Sequence, residues 1–393
     1  MPDASRRVFK RLHFIHQPKC GGNGLYRALL EAWQVEPDQV PHYFPFDQRM
    51  DSVYFRRGFH CYAEAERGIF DTLHTTLSLY FSAGYPVIGD HHPFSPRLFE
   101  AFRHNTAFIT VLRDPLARVR SHLLYNVFLN RGARPDHNRP KDAPFDVIAE
   151  LEKSLGTDAL EHISNIYLKN LGGLTPTDTV DFSPVEALGR AFAAIDLLDV
   201  VGMLDDMDRF ASELQEVTGR QITLPNANQT RDFADSPAQY EAAQAWVRRP
   251  ELEATLRDLC RYDAIIYQYA RYRLGLTDAP PPEALEGVTA FQAFFEHQPD
   301  VRISGRKASG WMGEIVLATF PWCYHQELGW LKLLGKASPD EFWVERKTIG
   351  EACLRRDAYP RLYAKQSDSW FLASAPGTCN QGIWDYANEA WIS

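Results

Sequence analysis

The chain has 393 residues, 45% of them hydrophobic and 13% aromatic, enough to bury one large core and a smaller second one. Its formal net charge of −9 gives no global electrostatic reason to bind nucleic acid or an anionic membrane, so any anionic ligand must be caught by a local pocket. No run of about 20 apolar residues could span a bilayer, and "MPDASRRVFKRLHFIHQ" at the N-terminus holds no apolar stretch of signal-peptide length.

In chain order, the first 278 residues alternate strand and helix signals, the pattern of a parallel sheet covered by helices. "LHFIH" reads as a short apolar strand and "GLYRALLEAW" as a helix, with the glycine-rich "HQPKCGGNGL" at their junction. "YPVIGD" reads as a strand. "SPRLFEAF" starts a helix, with Ser95 as N-cap and Pro96 at the first helical position. "TAFITVL" is a β-branched, apolar run that reads as a buried strand. "DPLARVRSHLLYNVFL" follows as a helix capped by Asp114, with Leu116, Val119, Leu123 and Val127 as its apolar stripe. The basic, proline-rich stretch 130–144, "NRGARPDHNRPKDAP", reads as an exposed loop. "SPVEALGRAFAAI" opens with a capping box from Ser183 to Glu186. "LLDVVGML" is a further strand, and "DRFASELQEVTG" a helix closed by Gly219. "PELEATLRDLCRYDAIIYQYARYRLG" is a long helical region broken near Asp263.

Three successive prolines in "TDAPPPEALEG" make a stiff extended linker. The expected units are therefore 1–278, a proline linker at 279–283, and a C-terminal domain at 284–393. Seven of the nine tryptophans lie beyond the linker and eleven of the thirteen histidines before it, so the tail is a different unit. "VRISGRKASGWMGEIVLATF" and "EFWVERKTIG" read as strands. The tail's tryptophans suit stacking on sugar rings, a core, or a subunit interface that would make the protein a homo-oligomer. The six cysteines (Cys20, Cys61, Cys260, Cys323, Cys353 and Cys379) show no C-x-x-C spacing. That points away from zinc and disulfides and toward reduced thiols in the cytoplasm.

Two stretches carry chemistry. In "HQPKCGGNGL", a glycine turn feeding a helix N-terminus offers backbone N–H groups as an anion cradle, with Lys19 in reach. The nucleotide loop G-x-x-x-x-G-K-[ST] is absent, because the lysine precedes the glycines and no hydroxyl follows for magnesium. In "VLRDPLARVRSHLLY", Arg113 stands at the carboxyl end of the buried strand, where open α/β sheets bind ligands. Arg118, Ser121 and Tyr125 follow at i, i+3 and i+7 on one helix face. A strand-end arginine and an early-helix serine would grip a second phosphate. Alone, each stretch also fits a tight βα turn or a capped amphipathic helix.

Together they resemble one family. "HQPKCGGNGL" resembles the 5′-phosphosulfate loop of the sulfotransferases that use 3′-phosphoadenosine 5′-phosphosulfate (PAPS), close to H-x-P-K-[TC]-G-[GS]-T-S-L. "LRDPLARVRSHLLY" resembles their 3′-phosphate motif, close to R-D-P-x-x-R-x-x-S, and the 94-residue separation of Lys19 and Arg113 also fits. The nearest branch is the one around heparan sulfate 2-O-sulfotransferase and its soluble bacterial relatives.

The resemblance implies a three-layer α/β fold of the P-loop-like kind, with a central parallel sheet, beside a small strand-rich C-terminal domain. It implies in-line transfer of a sulfuryl group from PAPS to a hydroxyl acceptor, first of all a glycan, without metal. Lys19 would meet the leaving oxygen and the 5′-phosphate. Cys20, Gly21, Gly22, Asn23 and Gly24 would form the phosphate loop, and Arg113 and Ser121 would hold the 3′-phosphate. Asn23 and Gly24 stand where the family has Thr-Ser, so two hydroxyl donors are gone. A base is needed because the acceptor hydroxyl is a weak acid. The branch carries G-H-x-P where this chain has "DHHP", which puts its catalytic histidine on His91, with His92 the near alternative and Asp90 a candidate to orient the ring. "HISNIYLKNLGG" resembles the branch's segment near the acceptor, with Lys169 in place of an arginine. "PNANQTRDF" falls where the family places a loop over the nucleotide, so Asn228, Thr230 and Arg231 would approach the 3′-phosphate there. Two rival readings stay open: a P-loop-like kinase, and a catalytically weak or silent paralogue that binds a nucleotide or a glycan.

Overall fold

A computed structural model describes residues 8–36, 74–132, 146–155, 160, 163–173, 184–224, 234, 236–286, 288–335, 337–346, 349–373, 383–385 and 390–392. The first unit holds β1 (Arg11–Ile15), α1 (Gly22–Trp33), α2 (74–83), β2 (Val87–Asp90), α3 (Pro96–Phe102), β3 (Thr106–Leu112) and α4 (Pro115–Gly132). It continues through α5 (Val147–Leu155), α6 (Ile166–Leu171), α7 (Pro184–Leu197), β4 (Val200–Met203) and α8 (Met207–Thr218). It ends with α9 (Pro237–Val247), α10 (Pro250–Asp258) and α11 (Arg261–Arg273).

β1 to β4 form a parallel sheet in the order β2-β1-β3-β4. The chain leaves β1 toward β2 and then crosses to β3 on the other side of β1. The gap between the carboxyl ends of β1 and β3 is therefore the sheet's switch point, where such sheets bind ligands. β3 is buried along its whole length. Side-chain alternation sends Ala107, Ile109 and Val111 to one face and Phe108 and Leu112 to the other. The first face is covered by α1 and α8, through residues such as Leu29, Trp33, Phe210 and Leu214. Helices α2, α3, α6, α7 and α11 cover the second, with Phe81, Phe99, Tyr167, Phe192 and Tyr269 among the contacts. Each large apolar side chain buried this way contributes about 1.5–3 kcal/mol.

Local signals end the helices as their chemistry requires. The Ser95 hydroxyl accepts the Leu98 N–H at 3.3 Å, and the Asp114 carboxylate accepts the Ala117 N–H at 2.8 Å. Gly219 closes α8 in the left-handed conformation at φ 68°. The long helical region breaks at Leu259–Cys260, between α10 and α11. Ser183 of the expected capping box lies outside the described residues, as does most of the loop at 130–144. Among the described residues no helix is long and apolar enough to cross a membrane.

After the prolines come α12 (Glu283–Glu286) and α13 (Val288–Phe294). An antiparallel sheet of eleven strands follows: β5 (Arg302–Ser304), β6 (Lys307–Gly310), β7 (Gly313–Leu317), β8 (Trp322–His325), β9 (Gly329–Leu334), β10 (Glu341–Arg346), β11 (Gly350–Arg355), β12 (Arg361–Ala364), β13 (Ser369–Ala373), β14 (Ile383–Asp385) and β15 (Ala390–Ile392). The strands pair strictly in chain order. One face packs Ile315, Leu331, Phe342, Leu354 and Phe371 onto Phe291, Phe294 and Phe295 of the preceding helical segment.

The proline segment is packed against its surroundings. Pro281 is buried, and its carbonyl accepts the Ala284 N–H at 3.0 Å. Ala284 itself lies in the core of the first unit. The antiparallel sheet docks beside it. Tyr324 of β8 enters the same core edge-on to Phe99, with centroids 5.8 Å apart. The Glu100 carboxylate accepts the Trp330 N–H at 2.8 Å. Buried Arg306 donates to the carbonyls of Ala284 at 3.2 Å and of Ala318. Thr319 donates to the Glu186 carbonyl at 3.2 Å, where a Cβ on Gly189 would lie 1.8 Å from the threonine oxygen.

Candidate functional site

The loop from β1 to α1 winds tightly. Lys19 and Gly21 both sit in the left-handed region, at φ 66° and φ 78°. For a lysine this conformation costs about 1–2 kcal/mol and needs outside support. α1 then begins with Gly21 as N-cap, without a side-chain cap and without an acidic residue in its first turn. Its N-terminal partial charge is therefore not answered by a carboxylate of that turn.

Lys19 turns back over this loop and α4. Its Nζ lies 3.5 Å from the centroid of the Tyr125 ring. Burial, and then the charge of Arg113, pull its pKa down to about 8. Arg113, just past β3, donates from Nη1 to the Lys19 carbonyl at 3.2 Å. Two cations thus meet at the switch point, where Arg113 disfavours the charge of Lys19. Ser121 is half-buried on α4 one turn before Tyr125, on the face that meets Lys19.

Arg118 departs from the sequence reading. Its spacing puts it on a face with Ser121 and Tyr125, yet the side chain is fully buried. It pairs with Asp263 at 3.3 Å and donates to the Ile163 carbonyl at 2.8 Å. It is a strut between α4 and α11, not an anion ligand. Cys20 is the second departure. Its side chain is buried, and its N–H donates to the Gln17 carbonyl at 3.2 Å, so neither group is turned toward a ligand. Burial pushes the thiol up to about 11, so it stays protonated.

Tyr167 of α6 ties these pieces together. Its hydroxyl donates to the Arg113 carbonyl at 2.7 Å and accepts the Arg113 N–H at 2.9 Å. With its one proton committed there, the same oxygen accepts the Cys20 thiol at 3.2 Å. Three residues further on, Asn170 is equally busy. Its amide donates to the Gln17 side chain at 3.1 Å, and its carbonyl accepts the Phe94 N–H at 2.6 Å. Lys169 is buried, with Nζ donating to Ser164 at 3.4 Å. So "HISNIYLKNLGG" reaches the three loops of the site from behind.

The histidines follow β2. His91 is half-buried and stacks on His16, with centroids 4.2 Å apart and planes 29° from parallel. Its Nδ1 lies 2.9 Å from the His16 carbonyl, which can only accept; the neutral ring is therefore protonated at Nδ1 and carries its lone pair at Nε2. That backbone carbonyl orients the ring. His92 is buried, with Nδ1 2.6 Å from the Pro93 carbonyl and the same tautomer. His16 itself lies between His91 and the loop from β1 to α1. A Cβ on Gly22 would fall 1.8 Å from its Nε2, so the ring rests directly on the first turn of α1. Burial, His91 and Lys19 hold its pKa well below the usual imidazole range, so it is neutral.

A cleft of about 440 Å³ opens from His92. His92, Pro93 and Phe94 wall one side, and Glu186 and Arg190 of α7 another. Thr319, Trp322 and Trp330 of the antiparallel unit complete it. Lys19, Gly21, Gly22, Arg113 and His91 are drawn together at the carboxyl ends of β1, β2 and β3, with Gly24 and Ser121 on the adjoining helices, while the cleft itself is lined by none of them. The Asn23 and Asp90 side chains, and Asn228, Thr230 and Arg231, lie outside the described residues. The sequence reading missed Tyr167, which sits in a stretch singled out for other positions, and the packing of His16 on Gly22, which no pattern within the motif signals. No family model matches the chain, and no curated protein is significantly similar to it.

Proposed function

We propose that this chain is a sulfotransferase that moves a sulfuryl group from PAPS to an acceptor hydroxyl, on a parallel-sheet scaffold of the P-loop-like kind. The observation that carries this reading is the pairing of Lys19 with Arg113 at the switch point, over a helix whose N-cap, Gly21, has no side chain and whose first turn has no acidic residue. Two neighbouring cations, one with its pKa pulled down to about 8, form a receptor that an anion with two phosphate groups relieves. The chemistry of these donors fits the nucleotide: backbone N–H groups, an ammonium and a guanidinium, all donors and no acceptor.

PAPS supplies an activated sulfuryl group and a phosphate leaving group. The chain's own residues hold and steady them. Gly22 and Gly24 offer first-turn N–H groups to the 5′-phosphate. Lys19 neutralises charge as it gathers on the leaving oxygen. Arg113 and Ser121 fix the 3′-phosphate. His91 Nε2 takes the acceptor's proton, its ring held by the His16 carbonyl and the His16 stack. Positioning and electrostatics do the work, as they do in phosphoryl transfer.

The test is calorimetry with PAP, the desulfated nucleotide, joined to a sulfate-transfer assay over an acceptor panel with and without magnesium. Wild type should bind PAP, and transfer should be independent of magnesium. Lys19→Ala and His91→Ala should abolish turnover, with PAP affinity kept in the latter. Absence of PAP binding by wild type would sink the reading. Full activity in His91→Ala would move the base to His92.

A further inference from the structure

We propose that the cleft between the two units takes an uncharged sugar ring stacked on Trp322, so that the antiparallel sheet selects the acceptor. The proposal rests on the transfer reading above for what happens to that sugar, but the binding step can be tested alone.

The position comes first. The cleft begins at His92, the residue after the proposed base. Its far wall, Thr319, Trp322 and Trp330, comes entirely from the C-terminal unit. Neither unit can form it alone. Its volume of about 440 Å³ lies within the ~300–1,000 Å³ range of small-molecule clefts.

The wall has the chemistry of a sugar platform. Trp322 is 40% exposed and lines the cleft, so its ring is open to a ligand there. A pyranose offers such an indole a face of C–H groups and turns its hydroxyls to the rim. At that rim stand Glu186 and Arg190, 2.6 Å apart, an acceptor and a donor set side by side for neighbouring hydroxyls. The Ser95 hydroxyl accepts the Leu98 N–H and keeps its own proton to donate. A wholly apolar ligand would cover these groups and satisfy none of them.

Charge decides which sugar. The one arginine of the wall, Arg190, is paired with Glu186 at 2.6 Å. The other titratable groups facing the cleft are His74 and His92, the latter buried. An acidic sugar would shed its water against a wall with no surplus positive charge, and the net charge of −9 repels it from afar.

The experiment titrates the full-length chain, saturated with PAP, against two sets of disaccharides by calorimetry. One set is neutral (maltose, cellobiose, lactose); the other is acidic, from hyaluronan and heparin. At least one neutral disaccharide should bind. Trp322→Ala should weaken it by about tenfold or more, as loss of an exposed tryptophan anchor does, with PAP affinity unchanged. Glu186→Gln, which leaves Arg190 as a surplus cation, should shift preference toward the acidic set. Preference of wild type for acidic sugars, an unchanged affinity in Trp322→Ala, or failure of every neutral disaccharide overturns the proposal. PAP binding is read in the same titrations, so loss of the donor reading and loss of this one are separable.

Discussion

Replacing Gly22 by alanine sets two effects of opposite sign against each other. Gly22 opens α1, where alanine is the better helix former by roughly 0.5–1 kcal/mol. Propensity alone therefore predicts a stabilised protein. The added methyl, however, would lie 1.8 Å from Nε2, 2.0 Å from Cδ2 and 2.4 Å from Cε1 of His16. Ordinary contact needs about 3.5 Å, so three ring atoms are more than an ångström too close. The ring has little room to retreat, with the His91 ring stacked 4.2 Å away and the Phe14 ring 5.3 Å away. Overpacking of this kind costs about 1–3 kcal/mol and outweighs the propensity gain. Urea denaturation should show Gly22→Ala destabilised by about 1–2 kcal/mol, and PAP titration should show weakened binding. Removing the ring should relieve it: His16→Ala with Gly22→Ala should be more stable than the sum of the single changes by about 0.5–3 kcal/mol. A Gly22→Ala protein as stable as wild type, or strict additivity in the double variant, would refute the claim that His16 seats the phosphate loop.

Other outcomes follow from the same geometry. Lys19, with its pKa near 8 in the free protein, is charged below that pH, and a bound anion raises its pKa again; PAP affinity should be flat between about pH 7 and 8, where the phosphates of PAP are also fully ionised, and fall by up to tenfold per unit above it. Lys19→Arg should flatten that upper limb, and a wild-type affinity constant to pH 10 would contradict the mechanism. Tyr167→Phe strands the Arg113 N–H that its hydroxyl accepts at 2.9 Å, so stability should drop by about 1–3 kcal/mol and PAP affinity with it; unchanged affinity would remove the tyrosine from its bridging role. Gly189→Val would push a side chain into Thr319, whose oxygen lies 1.8 Å from a Cβ built there; limited proteolysis should then cut the proline segment faster, and equal cutting rates would show that the docking tolerates the wedge.

The parallel sheet was legible because its signals are local. "TAFITVL" has no polar face to show solvent, and the structure buries it from Thr106 to Leu112. The Ser95, Asp114 and Gly219 caps act within a few residues and stand where the sequence puts them. The burial of Arg118 was not legible because its decisive partner, Asp263, is 145 residues away. Helical spacing reports which residues share a face, not what another helix brings to that face. For the same reason the tail was legible as strands, yet the hold of Thr319 on α7 and of Trp330 on Glu100 was not. Cys20 shows the limit of motif reading: its position lies within a ligand loop, while its side chain belongs to the core.

The two sheets also differ in how far apart their paired strands lie along the chain. In the parallel sheet, Arg11 of β1 faces Thr106 of β3, and Ile109 of β3 faces Val200 of β4. In the meander each strand meets only the next one along. Loop-closure entropy must be met before distant strands can reward it, so the first half matures slowly while the second zips up hairpin by hairpin. Contact separation alone thus predicts that the tryptophan wall forms before the wall it faces, and that the cleft between them waits on the slower half.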